Sequence, residues 1–378
     1  ADISVKYQSA VALALESAGD NASELRTALE KAPASQIEGL AFLIAHMPGR
    51  DLRSLNADYL LENLEWAYKA RAEVPWGAGL DDDLFFNDVL PYASINERRD
   101  NWRRDFHGKF LPLIKDCKSP GEAAQILNRE MWKIIDVRYH ASKRPKPDQS
   151  PYESMDANYA SCSGLSVLLI DACRAVSVPA RFVGTPEWST KRGNHSWVEV
   201  WDGGQWKFTG ACEFNPAGLN KAWFAGDASK AIKDESAHAI YATSWKKTGG
   251  HFPLVWDRSI DYVGAVNVTD RYAPPPEKPG TPARRVFIQV FDRPGGDRVP
   301  VDVEILRAGE SIATGRTRGP DDDTNNMLAV QLKEGVEYQL HILRSPKSDG
   351  AKGTPARNVT FTPSGREDEQ IRFDLREE

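Results

Sequence analysis

Apolar side chains recur at helical spacing in the first third of the chain and at alternate positions in its last quarter. One stripe follows the i, i+1, i+4, i+7, i+8 spacing of a buried helix face and consists of Leu60, Leu61, Leu64, Ala67 and Tyr68. Further on, apolar and polar residues alternate in short segments between turn residues, which predicts strands at 286–291, 301–305, 328–332, 338–342, 359–361 and 371–375. We therefore predict a helical region over residues 1–118 and a small antiparallel β-sandwich over residues 283–378.

The middle of the chain, residues 119–272, mixes both patterns and predicts an α+β core. Ser119-Pro-Gly-Glu122 has the cap, the first-position proline and the acidic third position of a helix start. Residues 138–159 lose periodicity and contain several prolines, so we predict a loop there, and we predict a broken helix over 219–241. The proline-rich segment 273–282 is predicted to be a stiff linker to the sandwich.

A small polar segment that carries Cys162 leads directly into an apolar helical pattern. The predicted buried face of this helix consists of Leu165, Leu168, Leu169, Ala172 and Val176. Ser161 is the predicted N-cap, which places Cys162 in the first turn. Free N–H groups and the positive end of the helix dipole favour a thiolate there, so we predict that Cys162 is a nucleophile. Cys173 lies eleven residues further along the same helix and is predicted to be a core residue.

The predicted partner of Cys162 opens a β-hairpin. Residues 195–209 have the pattern of two short strands joined by the turn Asp202-Gly-Gly204. Alternation along the first strand places His195, Trp197 and Glu199 on one face. A histidine at a strand start, facing a cysteine at a helix start, is the thiol–imidazole arrangement of cysteine hydrolases.

Composition narrows the class of protein. The 378 residues are 41% hydrophobic and include 11 Trp, enough for the cores of two or three domains. The net charge of −6 lacks the basic footprint of a nucleic-acid-binding protein, so we expect no nucleic-acid partner. No run of 18 apolar residues occurs, and we expect no membrane span. The four cysteines lack CxxC spacing, so we predict no metal site and no cofactor, while one disulfide, for example through Cys117, stays open.

Four sequence blocks follow one another in a specific order: Cys162-x-Gly-Leu-Ser, Val178-Pro-Ala-Arg-Phe-Val, Asn194-His-x-Trp-Val-Glu-Val and Gly204-Gln-Trp206. This series resembles the transglutaminase-like superfamily over roughly residues 119–272. The resemblance implies a papain-like α+β core with a Cys–His–Asp triad, in a family that includes transglutaminases, peptide:N-glycanases and bacterial proteases. The C-terminal strands resemble transthyretin-like or Ig-like modules.

The third triad residue departs from the family pattern. The family has an Asp four residues after the hairpin tryptophan, and counting from Trp206 this chain has Gly210 at that position. A glycanase-like sequence would read Asp-Pro-Cys-Glu where this chain ends in Ala-Cys-Glu213. The alternatives are Glu213 from a rearranged loop, Asn215 as in papain-like proteases, or no orienting residue, and we favour Glu213. The orienting residue matters because it holds the imidazole tautomer and stabilises the imidazolium.

Four further residues are candidates for the oxyanion hole or the cleft. The resemblance implies a tryptophan donor some way before the nucleophile, and Trp132 is the candidate, although its offset differs. Ser163 follows the nucleophile, and Trp197 shares the face of His195. Trp188 lies in the loop that ends next to His195, where lining the cleft and packing are equal alternatives.

These features predict a thiol-dependent hydrolase that cleaves a peptide, isopeptide or glycan–asparagine amide through a thioester on Cys162. Protein cross-linking is the less favoured chemistry, because the calcium sites and several sandwich domains of animal-type transglutaminases are not visible. The contrasting alternatives are a non-catalytic protein of the same fold that binds peptide or glycan, and a surface scaffold organised by the sandwich. The expected partner is a protein, peptide or glycopeptide substrate, and the start at Ala1-Asp2 predicts a secreted or periplasmic mature protein.

Overall fold

The computed structural model describes residues 3–190, 193–273, 284–307, 310–333, 335–343, 355–364 and 368–375. It divides into two compact units: the first holds the described residues up to Ala273 except Thr190, and the second holds Thr190 and the described residues from 284 onward. The predicted linker at 273–282 lies outside the described residues apart from Ala273. Along the described chain, no helix combines the length and the apolar character that crossing a bilayer requires.

The first unit begins with a helical region, as predicted. Its helices are α1 Val5–Ser17, α2 Ala22–Lys31, α3 Ile37–His46, α4 Gly49–Leu52, α5 Ala57–Glu73, α6 Asp82–Asp88 and α7 Arg103–Phe110. One hydrophobic cluster runs from Tyr7 to Ala93, and α3 is buried along almost its whole length within it. By contrast, Phe106 and Phe110 of α7 pack into the cluster that surrounds the predicted nucleophile helix.

The rest of the first unit is an α+β core. Its elements are α8 Pro120–Ile135, β1 Arg138–Tyr139, α9 Pro151–Ala157, β2 Tyr159–Ala160, α10 Cys162–Ala175, β3 Ala180–Thr185, β4 His195–Asp202, β5 Gln205–Thr209, α11 Ala225–Ala228, β6 Tyr241–Thr243 and β7 Ala265–Asn267. The five-stranded sheet has the order β5-β4-β3-β6-β7, and all of its neighbouring strands are antiparallel. The α+β fold class and the hairpin at β4 and β5 are confirmed.

Helix α10 is the central element of this core. Every residue from Ser163 to Ala175 is buried, not only the predicted apolar face, because α10 lies between strands β3 and β4 and helices α7 and α8. Its first turn passes close to β2, since a Cβ added at Gly164 would lie 3.0 Å from the Cβ of Ala160. The glycine two residues after Cys162 therefore lets the helix start approach the neighbouring strand.

Two buried arginines connect the helical region to the C-terminal end of α10. Arg174 donates to the carbonyl oxygens of Pro91 at 3.3 Å and Ala93 at 2.9 Å. Arg103 of α7 donates to the carbonyl oxygen of Arg174 and to those of residues 89–91, each at 3.0 Å. Buried carbonyl oxygens need such partners, so the segment 89–93 and the end of α10 depend on the same two side chains.

Two sequence-based predictions in this unit are wrong. Residues 138–159 are not one loop, because they contain β1, α9 and β2, and α9 begins with a full capping box between Ser150 and Glu153. Residues 219–241 do not form a broken helix: the described structure has only the short α11 there. The segment instead forms turns whose apolar side chains pack against side chains of strands β3, β4 and β6, so its apolar residues are spaced by packing and not by helical periodicity.

The second unit consists of strands. They are β8 Arg285–Phe291, β9 Asp302–Arg307, β10 Glu310–Arg316, β11 Leu328–Gln331, β12 Tyr338–Leu343, β13 Pro355–Phe361 and β14 Glu369–Asp374. They form a four-stranded sheet, β10-β9-β12-β13, and a three-stranded sheet, β11-β8-β14, whose apolar side chains share one cluster. The prediction of purely antiparallel pairing is wrong at one position, because β14 pairs with β8 in parallel.

Candidate active site

Cys162 is the first residue of α10 and is half-buried. Ser161 occupies the predicted N-cap position, but its side chain makes no cap bond to the described helix, and its Oγ points to the carbonyl oxygen of Pro147 at 3.5 Å. The first N–H groups of a helix have no partner within the helix, and here the usual cap side chain does not take one. Donors at the helix start are thus left near the sulfur of Cys162.

His195 opens β4 and lies opposite Thr185 of β3. A nitrogen of its ring lies within 4.8 Å of the Sγ of Cys162. The imidazole is only 2% exposed, while the sulfur-bearing residue is half-buried. The structure thus brings together the two residues on which the predicted chemistry depends.

Aromatic rings surround the imidazole of His195. Trp197 stacks beside it at 5.8 Å between centroids, and Trp188 lies at 6.0 Å and is itself stacked on Trp197. Trp223 and Phe224 approach at 4.8 and 5.0 Å. Such packing excludes water from the ring and restricts its rotation. Trp188 and Trp197 were predicted near the site, whereas Trp223 and Phe224 were not, because no motif marks the turn that carries them.

The turn after β5 places Glu213 over Gly210. A Cβ added at Gly210 would overlap the carboxylate of Glu213, so this carboxylate fills the space that a side chain at position 210 would occupy. Its Oε2 accepts the indole N–H of Trp223 at 2.9 Å, and the Trp223 ring contacts His195. Position 210, where the family has an Asp, carries no side chain here. The carboxylate of Glu213, three residues further along the chain, fills that space.

Asn128 of α8 holds this turn in place, a role that no sequence pattern indicated. The residue is 1% exposed, and its Nδ2 donates to the carbonyl oxygen of Gly210 at 2.8 Å and to Thr209 Oγ1 at 3.1 Å. Its Oδ1 accepts the backbone N–H of Cys212 at 2.9 Å. Cys212 has a positive φ of 63°, an uncommon conformation for a residue other than glycine, and the Asn128 bond stabilises it. A buried asparagine on a helix resembles many others in sequence, so only the fold shows this role.

The two oxyanion candidates outside the triad have other bonds. The indole N–H of Trp132 donates to the carbonyl oxygen of Asn128 in its own helix at 2.8 Å. Ser163 is 2% exposed, and its Oγ lies 3.1 Å from the Oγ of Ser196 on β4. The Trp132 side chain is therefore bonded to Asn128, the residue that holds the turn after β5. The Ser163 side chain links the start of α10 to β4, the strand that carries His195.

Glu199 lies two pleats beyond His195 on the same face of β4 and anchors the aromatic layer. Its carboxylate accepts hydrogen bonds from Arg181 at 2.6 and 2.8 Å and from Arg271 at 3.0 and 3.1 Å. The hydroxyl of Tyr272 also donates to it, at 2.7 Å, and accepts the indole N–H of Trp197 at 2.9 Å. The ring that stacks on His195 is thus fixed through a chain of hydrogen bonds that ends at a buried, paired carboxylate.

All four cysteines are free thiols, so the disulfide that the sequence left open does not form. Cys173 is fully buried, and burial raises the pKa of its thiol, as expected for the core residue that we predicted. Burial also raises the pKa of the Cys117 thiol. Cys162 and Cys212 are the two half-buried thiols, and the structure gives Cys162 the ring nitrogen of His195 as a neighbour.

The fold and this geometry define a class of site, in which a cysteine at the start of a helix lies beside a histidine at the start of a strand. Residues 111–209 match the family model of the Transglutaminase-like superfamily, which confirms the resemblance over that segment and supports a thiol-dependent hydrolase or acyltransferase. Sequence comparison finds no match among curated proteins. Among solved structures, the chain is similar to one from Cytophaga hutchinsonii named a "Putative Cysteine Protease", with 18% identity and a TM-score of 0.30. That alignment covers 56% of this chain and 62% of the other, less than two thirds of its length.

Proposed function

We propose that this protein is a thiol-dependent hydrolase that cleaves an amide bond of a peptide or glycopeptide through an acyl-enzyme on Cys162. The observation that carries the proposal is the approach of the Cys162 Sγ to a His195 ring nitrogen, within 4.8 Å. The match of residues 111–209 to the transglutaminase-like family supports it independently of that distance.

In the proposed reaction the Cys162 thiolate attacks the amide carbonyl carbon, and a C–S bond forms as the C–N bond breaks. The His195 imidazolium gives its proton to the leaving amine. Water, deprotonated by the now neutral imidazole, then attacks the thioester, which releases the carboxylic acid and restores the thiolate and imidazolium. The backbone N–H of Cys162 at the start of α10 donates to the oxyanion, where the helix dipole also favours negative charge.

Glu213 is the residue that we propose to orient His195. Its carboxylate occupies the space above Gly210, where the family has an Asp, and it is joined to Trp223, which packs on the imidazole. Trp132 has no part in the proposed mechanism, because its N–H bonds within its own helix.

Alkylation by iodoacetamide at pH 7, followed by peptide mapping, tests the proposal. We expect Cys162 to react about 100-fold faster than Cys212, the other half-buried thiol, and His195→Ala to slow Cys162 at least about tenfold. Cys212 is the internal control, because its rate should not respond to His195→Ala. Equal and slow rates at Cys162 and Cys212 in the wild-type protein would instead support the non-catalytic binding protein.

A second measurement separates hydrolysis from transfer. Peptides cleaved by the wild-type protein are incubated with and without a fluorescent primary amine, and the products are analysed by mass spectrometry. A free carboxylic acid in both reactions supports the hydrolase, whereas an amide of the added amine as the main product supports the acyltransferase. Cys162→Ala should form neither product.

A further inference from the structure

A cluster of cations surrounds one aromatic ring just before the nucleophile. Arg138 and Lys143 lie over the ring of Tyr159 at 5.6 and 5.3 Å from its centroid. The ring of His140 meets Tyr159 edge-on at 5.4 Å. Arg138 and Lys143 are exposed and Tyr159 is half-buried, so the charged groups face solvent on an aromatic base. We call Arg138, His140, Lys143 and Tyr159 the cationic patch.

The backbone places this patch close to Cys162. Strand β1 pairs in parallel with β2, with Arg138 opposite Tyr159, and the N–H of His140 bonds the carbonyl oxygen of Ala160 at 3.0 Å. Cys162 is three positions after Tyr159 in the chain, so their Cα atoms lie at most about 11 Å apart. That distance corresponds to about three residues of an extended peptide bound along the site.

The charge of the patch is not neutralised within the described structure. Lys146 of the same segment pairs with Glu153 at 2.9 Å, but no described carboxylate lies within 4.0 Å of Arg138, Lys143 or Arg144. The Nε of Arg144 is also buried without a hydrogen-bond partner among the described residues. The other acidic groups in this segment and on α9 are Asp136, which accepts a bond from Asn158, Asp148, which accepts one from Asn96 at 2.7 Å, and Asp156. Residues 138–147 contain four Lys or Arg and no Asp or Glu, whereas the whole chain carries a net charge of −6.

The patch is also held in shape before any ligand binds. The Nδ1 of His140 accepts the backbone N–H groups of Ser142 at 3.1 Å and Lys143 at 3.0 Å, which fixes the turn that presents the Lys143 ammonium. Pro145 and Pro147 restrict the backbone that follows, and Ser161 Oγ contacts the carbonyl oxygen of Pro147. Preorganised cations lose little freedom when an anion binds, and this raises their affinity for it.

We propose that the cationic patch is a substrate subsite that selects acidic peptides, by binding a carboxylate about three residues from the scissile amide. The inference rests on the proposed function, because it assigns a substrate class to the same site. Arg138 and Lys143 supply the charges, and the turn held by His140 positions Lys143. The patch accounts for the otherwise unpaired charges beside the nucleophile and makes the protein selective for segments rich in Glu or Asp.

Two series of thiol-reactive peptides test the subsite. Peptidyl chloromethyl ketones sample the acyl side of the scissile bond, and N-chloroacetyl peptides sample the leaving-group side. Each series carries Glu or Gln at the second, third or fourth residue from the reactive group, and the second-order rate of Cys162 alkylation is measured. We expect about a tenfold preference for Glu over Gln at one position or more, reduced when salt is raised from 50 to 300 mM.

Arg138→Gln/Lys143→Gln should abolish this preference while the rate with uncharged iodoacetamide stays within about twofold. The matched control is Arg26→Gln/Lys31→Gln, which removes two cations from exposed positions of α2 and should leave the preference intact. In Cys162→Ala, fluorescence anisotropy should show Glu peptides binding about tenfold more tightly than Gln peptides, without any chemical step. Equal rates for Glu and Gln peptides at every position, or a preference that survives Arg138→Gln/Lys143→Gln, overturn the subsite.

The two proposals fail separately. Iodoacetamide labelling of Cys162 that does not depend on His195 contradicts the hydrolase, whatever the peptides show. Rapid, His195-dependent labelling combined with equal Glu and Gln rates leaves the hydrolase standing and removes the cationic patch from substrate selection.

Discussion

The Glu213 carboxylate fills the space of a side chain at position 210, and a double-mutant cycle at these two positions tests this quantitatively. Asp at position 210 would restore the residue that the family has there, yet its Cβ would overlap the Glu213 carboxylate. Displacing Glu213 breaks its charged hydrogen bond to Trp223, at 2.9 Å, which is worth about 1.5–3 kcal/mol, and the collision adds about 1–3 kcal/mol. We therefore expect Gly210→Asp to lower the free energy of unfolding by about 2.5–6 kcal/mol.

Each single change should also slow the site. Gly210→Asp misplaces the carboxylate and Glu213→Ala removes it, so each should lower the rate of Cys162 alkylation at least about tenfold. Gly210→Asp/Glu213→Ala has room for the new side chain and supplies a carboxylate on the same side of the turn. It should recover to within about threefold of the wild-type rate, which corresponds to a coupling energy of at least about 2 kcal/mol between the two positions.

Iodoacetamide alkylation and urea unfolding of the four proteins in the cycle measure both effects. Gly210→Ala is the steric control, because its methyl group meets Glu213 without adding charge, and Glu213→Gln is the charge control, because it keeps the shape. Additive losses in the double variant would refute the idea that the Glu213 carboxylate replaces the family's Asp.

Two further predictions concern the buried charges near the sheet. Glu199→Gln removes the charge that pairs with the buried Arg181, so it should lower the free energy of unfolding, measured in urea, by about 3 kcal/mol. A loss below about 1 kcal/mol would contradict the role of Glu199 in anchoring the aromatic rings around His195. Burial raises the pKa of Asp88 from 3.8 to about 6, although the nearby charges of Arg181 and Arg174 lower it. Between pH 3.8 and about 6 the Asp88 carboxyl is therefore protonated in the folded state but ionised in the unfolded state, so the free energy of unfolding falls as the pH rises through this range. Asp88→Asn should therefore stabilise the protein by up to about 3 kcal/mol at pH 8 and by almost nothing at pH 4, whereas an equal gain at both pH values would show that its ionisation is not the cause.

The sequence predicts the fold best where a local pattern and its tertiary setting agree. Ser119-Pro-Gly-Glu122 predicts the start of α8, and Ser119 Oγ does accept the N–H of Glu122. The same pattern, Ser150-Pro-Tyr-Glu153, begins α9, but the surrounding prolines and basic residues hid it within a predicted loop. The prediction failed there because α9 is only seven residues long, too short to show an apolar stripe.

The candidate site was predictable only in part. Cys162 and His195 follow from local patterns, a helix start and a strand start, and the structure brings them together. The support of the imidazole by Trp223 and of the turn by Asn128 depends on contacts between elements far apart in the chain. The replacement of a side chain at position 210 by the carboxylate of Glu213 depends on the path of a turn, which periodicity does not determine.

The shared bonds of Arg103 and Arg174 bear on how such a site can be isolated or transplanted. The family-like segment 111–209 does not contain Arg103 or the carbonyl groups of Pro91 and Ala93 that Arg174 bonds. An excised fragment would retain Arg174 with its main acceptors removed, at the base of the helix whose other end carries the sulfur. The minimal folding unit around Cys162 therefore begins well before the recognisable motifs, and a chimera should exchange the helical region and the core as one cassette.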